Sequence, residues 1–260
     1  MISVVSPVAV GTVLLFYFGW VRTKTEAAAL GYDSKILEFT TADYVLRSIN
    51  VLSLPVVAVL VLMLIVLHAH RWLIVRLGPT GRMRLAYTLL RSWLFSLVLV
   101  TVLVQLTPSL ITPALPPILT CAVGFALYGD YLRASVRPGR RWSLAIRLVM
   151  GALLVLAVIA DTERLARAMG EGFAQSVAAD QGQLTAVEVY SAKDFFLTVP
   201  NVTTTRAGGT DTVYRFHYSG LRLLQRTGDK YLLINDGWTR ETGRVLLLRD
   251  SGDIRLEFHH

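Results

Sequence analysis

The sequence predicts an α-helical membrane protein: five transmembrane helices followed by a small extracytoplasmic α+β domain rich in short antiparallel strands. Three observations carry that prediction. Apolar residues make up 53% of the 260-residue chain against 17% charged, and the mean hydropathy is +0.52, a balance wrong for a water-soluble protein of this size. The apolar residues gather into uncharged runs long enough to cross a bilayer. From residue 161 the pattern changes to short alternating runs separated by turn formers. The same counts exclude a disordered chain, a fibre and a disulfide scaffold, since Cys121 is the only cysteine.

Residues 2–21 carry no charge and form the first span. No lysine or arginine precedes Arg22, and no small-x-small site precedes Gly19-Trp20, so this segment reads as an anchor rather than a removable signal. Residues 22–47 are an outer cap: Ala27-Ala28-Ala29-Leu30 favours helix, Gly31 ends it, and Thr40 or Thr41 caps a new helix running into the second span. A helix lying on the bilayer surface accounts for the cap better than a gate or a docking element. The second span is 48–70. Residues 92–129 are uncharged throughout, and as one helix they would be nearly twice as long as the roughly 30 Å hydrocarbon core is thick. Thr107-Pro108 and Pro113 to Pro117 therefore divide them into spans 92–110 and 114–129. The fifth span is 142–160, with Arg147 able to snorkel at its basic end.

Charge orients the helices. Arg71, Arg76, Arg82, Arg84 and Arg91 have no acid among them, and Arg133, Arg137, Arg140, Arg141 and Arg147 face only Asp130, whereas the cap and the tail are close to neutral. The whole net charge of +8 thus sits in two connectors, the pattern of cytoplasmic loops and not of a nucleic-acid-binding patch. The expected location is the plasma membrane, with the N-terminus cytoplasmic and the C-terminus outside. Arg71, Arg76, Arg82, Arg84, Arg133, Arg137, Arg140 and Arg141 are also placed to meet anionic inner-leaflet lipid, although orientation alone accounts for them.

The outer domain, 161–260, opens with a helix to about residue 180, with Leu165, Ala168, Met169, Phe173 and Val177 at helical spacing. Strands follow at 184–190, 195–199, 213–218, 221–225, 231–234, 245–248 and 254–258, separated by turns such as Gly208-Gly209 and Thr227-Gly228-Asp229.

Chemistry-bearing motifs are scarce. His68-Ala69-His70 sets its imidazoles about 200° apart on a helix and cannot chelate one ion. His217 alternates with Phe216 and Tyr218 as a plain strand residue, and His259 and His260 imply no site alone. Cys121 reads as an inert, buried thiol. The spans hold no acid at mid-depth; Ser96, Thr101, Gln105 and Thr120 are read as hydrogen-bonding between helices. No Gly-x-Ser-x-Gly and no phosphate loop is present, so the expectation is a non-enzyme without cofactor or metal.

The stretches Gly31-Tyr32-Asp33, Phe39 to Ser48, Tyr218 to Leu224, Tyr231-Leu232-Leu233 and Gly237-Trp238 resemble polytopic membrane proteins of actinobacteria that carry no assigned activity. The resemblance covers the cap and the tail and implies a cell type. The excess of arginine over lysine points to the same GC-rich source. The functional expectation is an outward-facing β-rich module acting as receptor, sensor or accessory subunit, with a protein partner or a second copy meeting Trp238, Tyr231, Tyr218 and Phe216. The alternative is a subunit of an oligomeric channel or transporter.

Overall fold

A computed structural model describes residues 6–106, 114–137, 139, 141–206 and 213–259. Among these residues five α-helices, α1 (Pro7–Leu30), α2 (Thr41–Arg76), α3 (Pro79–Leu106), α4 (Leu115–Val136) and α5 (Leu144–Ala179), precede six strands. The chain divides into two compact units: Met1–Val51 with Ala166–His260, and Leu52–Leu165. The cap and α1 therefore belong with the strands, whereas the sequence grouped them with the spans.

Four helices, α2 to α5, are long and apolar enough to cross a membrane. Among the described residues α1 falls short of that measure. Its uncharged part is followed within the same helix by Arg22, Lys24 and Glu26, and the start of the expected first span lies outside the described residues. Gly31, at φ 89°, ends α1: its N–H donates to the Ala28 carbonyl at 3.3 Å and that of Tyr32 to the Ala27 carbonyl at 2.9 Å. Thr40 starts α2 through a reciprocal cap: its Oγ1 accepts from Asp43 N at 3.3 Å while Asp43 Oδ2 accepts from Thr40 N at 2.8 Å.

The expected arginine loops are largely helix. Residues 77–78 alone separate α2 from α3, because Pro79 suits a first helical turn. Arg82 then reaches back to cap α2, donating from Nε to Leu77 O at 2.9 Å and from Nη2 to Ile74 O at 2.7 Å. Buried Asp130 joins the end of α4 to the start of α5, accepting from Arg133 at 2.7 Å and from Trp142 N at 3.1 Å. Gly129 lets α3 and α4 approach closely, since a Cβ there would press on Ala86, Leu89 and Leu90. The expected break between the third and fourth spans falls on residues 107–113, outside the described residues. The expected fifth span and the helix following it are one continuous α5.

The strands are β1 (Ala186–Ser191), β2 (Thr203–Arg206), β3 (Phe216–Thr227), β4 (Lys230–Asn235), β5 (Val245–Arg249) and β6 (Ile254–His259). They form an antiparallel sheet in the order β5-β4-β3-β1-β6, with β2 also on β3. Two expected strands, 213–218 and 221–225, are the single strand β3. Gly220, at φ 83°, lies where β2 hands one edge of β3 over to β4. The expected strand at 195–199 is instead a loop laid on the core. Asp194 accepts from Phe196 N in an Asx turn, Phe196 takes a positive φ, and Phe195 and Leu197 pack inward. Strand β2, all threonine and arginine, has no apolar alternation to announce it.

Candidate functional site

Two places in the sheet-containing unit gather chemistry. The first is a solvent-open cleft of about 550 Å³ between the cap, residues 37–47, and the β3–β4 hairpin, residues 225–230. The hairpin closes through Gly228-Asp229, with Gly228 at the positive φ that the first position of a type II′ turn requires. Lys230 fastens it to the cap: its buried Nζ donates to Ile36 O at 2.9 Å and pairs with Glu38 at 2.9 Å. The cap is thus a wall of the sheet unit, where the sequence favoured a helix lying on the bilayer. Phe39, Leu37 and Leu46 line the cleft beside Arg47, Arg226, Asp43 and Asp229, a mixed apolar and charged surface.

Beneath the cleft the cap is tied to α1. Arg47 lies 3.7 Å from buried Glu26 and stacks on Phe39 at 4.4 Å, and its carbonyl accepts from Arg22 at 3.2 Å. Burial raises the Glu26 carboxyl above its ordinary range, opposed by the guanidinium groups of Arg47 and Arg22. Gly170 on α5 permits this packing, because a Cβ there would meet the α1 backbone at Arg22 and Glu26.

The second place is one face of the β2-β3-β1-β6 part of the sheet. Register sets Glu188 directly opposite Glu257, Tyr190 opposite both His217 and Arg255, and Thr205 opposite His217. Alternation turns the intervening Val187, Val189, Tyr218 and Leu256 to the other face, where they pack into the core. Glu188 Oε2 accepts from the Tyr190 hydroxyl at 3.0 Å and lies 3.1 Å from His217 Nε2, whose Nδ1 is 3.1 Å from Thr205 Oγ1. The Tyr190 and His217 rings stack with centroids 4.5 Å apart. Glu188 Oε1 is 3.8 Å from His259 Nε2, and Arg255 holds Glu257 Oε1 at 2.7 Å. The hydrogen bond from Tyr190, with that from His217 behind it, holds the Glu188 carboxyl below its ordinary range; the same carboxylate raises Tyr190.

The aromatics expected to meet a partner are mostly core. Tyr218 is fully buried, its hydroxyl bonded to Asp194 and Phe195 N; Trp238 is 3% exposed and Tyr231 7%. Phe216 is half-buried against the same cluster. Tyr218 and Tyr231 pack with Val187, Val189 and Leu233, while Trp238, beyond the end of β4, packs with Ala29, Leu30, Ala174 and Val177, so large rings are drawn to the two cores of this unit. Of the arginines, Arg71, Arg76, Arg84, Arg137 and Arg141 are exposed, Arg82 and Arg133 are spent on helix ends, and Arg140 lies outside the described residues. Cys121 sits on an exposed face of α4, correcting its expected burial. Ser96 and Thr101 bond back to their own helix, whereas Thr120 reaches across to α5, donating to Asp161 at 2.7 Å.

The sheet-face cluster was not read from the sequence. Its signal was the alternation of Glu188 and His217 with inward-facing Val187, Val189, Phe216 and Tyr218, and of Glu257 with Leu256, but only strand order brings them and His259 together. No family model, curated protein or solved structure matches the chain.

Proposed function

We propose that this is an integral plasma-membrane protein, with its N-terminus cytoplasmic, whose β-rich unit faces outward as a binding module: a receptor, sensor or accessory subunit. The arginine-rich helix ends support that orientation, and the actinobacterial resemblance fits it. The observation that supports the binding role is the cleft of about 550 Å³ between cap and hairpin, fastened by Lys230 and lined by Phe39, two leucines and charged side chains. Such a surface suits a segment of a partner protein better than a compact polar metabolite, because apolar area supplies affinity while rim charges select the partner. A second reading, the oligomeric channel or transporter subunit, is favoured by α2, since only 6% of its most apolar window is covered within the chain.

Purification in mild detergent separates these readings. A stoichiometric protein partner that is retained by wild type and lost from Thr227→Trp, which fills the cleft, supports the binding module. A homo-oligomer that conducts ions in liposomes and is indifferent to Thr227→Trp hands the case to the channel.

A further inference from the structure

We propose that Glu188, Glu257 and His259 form a binding site for a divalent transition-metal cation of the zinc class. One ligand atom from each lies within 4.8 Å of the others. A cation with bonds of 2.0–2.2 Å needs its ligands about 3.4 Å apart, which small side-chain rotations of these three reach. The donor set, one imidazole and two carboxylates with no thiolate, suits borderline divalent ions and leaves a coordination position open to water.

What distinguishes the cluster from exposed acids that happen to be neighbours is the arrangement around them. Glu188 and Glu257 face each other directly across β1 and β6, an unfavourable placement of like charges that Arg255 and His217 offset from outside and that a cation between the two carboxylates would relieve directly. Tyr190 and His217 hold Glu188 Oε2, with Oε1 toward His259; Arg255 holds Glu257 Oε1, and the Tyr190 hydroxyl also reaches Glu257. His217 is in turn oriented by Thr205. Outer contacts of this kind orient metal ligands and raise affinity. His217 is accordingly a positioning residue, one step removed from the ion. The site shares no residue with the cap–hairpin cleft, so it stands whether or not that cleft binds a partner.

Calorimetric titration of chelator-stripped, full-length protein in detergent with Zn²⁺ at pH 7.5 tests the assignment. One equivalent is expected to bind. Glu188→Gln, Glu257→Gln and His259→Gln each weaken binding roughly a hundredfold and His217→Gln about tenfold, in line with outer-contact effects. His68→Ala with His70→Ala leaves it unchanged. Co²⁺ in place of Zn²⁺ should give the visible absorption of a low-coordinate site, lost in the ligand variants. Circular dichroism of the metal-free variants checks folding; should Glu188→Gln not fold, Glu257→Gln on the edge strand decides. Absence of one-equivalent binding overturns the proposal. So does binding that depends on His259 but survives both glutamate substitutions, which is chelation by the adjacent terminal imidazoles.

Discussion

Strand β4 and the middle of α2 are built from the same side chains and meet opposite fates. All six residues of β4, Lys230–Asn235, are buried, Leu232, Leu233 and Ile234 almost completely. In α2, residues 56–69 are exposed without interruption, although they are as rich in leucine, valine and isoleucine. Hydrophobicity alone therefore does not say what covers a side chain. Length does: a strand a few residues long finds a protein interior, while a helix exposing apolar groups around its whole girth matches a lipid medium. The change of regime occurs inside α2 itself, since Ser48 and Val51 are buried in the sheet-containing unit.

Substitution breaks this comparison most sharply. Leu233→Ala should cost about 2–5 kcal/mol, because it opens a cavity in a close-packed core. Leu60→Ala, on the exposed girth of α2, should change stability by less than about 0.5 kcal/mol. Denaturant unfolding in detergent compares the two, and equal losses would mean that α2 packs against protein. The next effect lies beneath the cleft. Arg47→Met strands Glu26 as a buried carboxylate and should cost about 2–3 kcal/mol, below the range for a fully buried pair because Arg47 is partly exposed and Arg22 remains nearby. Glu26→Gln should cost less than Arg47→Met at neutral pH, since it also removes the charge whose burial is unfavourable.

Much of this was legible from residue order. Helix-forming runs, the stop at Gly31, a cap at Thr40 and most strands follow from local rules, because each depends on neighbours within a few positions. The exceptions are non-local. Residues 219–220 read as a gap between two strands but lie within β3, where Gly220 takes a positive φ; the loop at 195–199 reads as a strand because Phe195 and Leu197 face the core; β2 has no pattern because β3 supplies its bonds. The sheet-face cluster joins residues about 70 positions apart, from Glu188 to Glu257 and His259, and no local spacing encodes that.

Smaller effects sharpen the same contrast. Thr40→Ala removes half of the reciprocal cap at the start of α2 and should cost about 1 kcal/mol, measured by unfolding in detergent. The weakest is a pH dependence of the exposed face. Glu188 is held below its ordinary value of 4.5, so its contribution to stability is in place above that pH and fades as the pH falls through the lowered value. Glu188→Gln should lower the neutral plateau of the melting-temperature profile slightly and flatten its acid limb, because the contribution it removes is the one present at neutral pH.

The proposed function requires α2 to α5 to cross a lipid bilayer with their arginine-bearing ends inside and the sheet outside. Single cysteines placed by Ser251→Cys and Arg141→Cys in a Cys121→Ser background, probed on intact cells with a membrane-impermeant maleimide, measure this directly. Labelling at 251, with 141 protected until the cells are permeabilised, is the predicted result; labelling at 141 with 251 protected would contradict it.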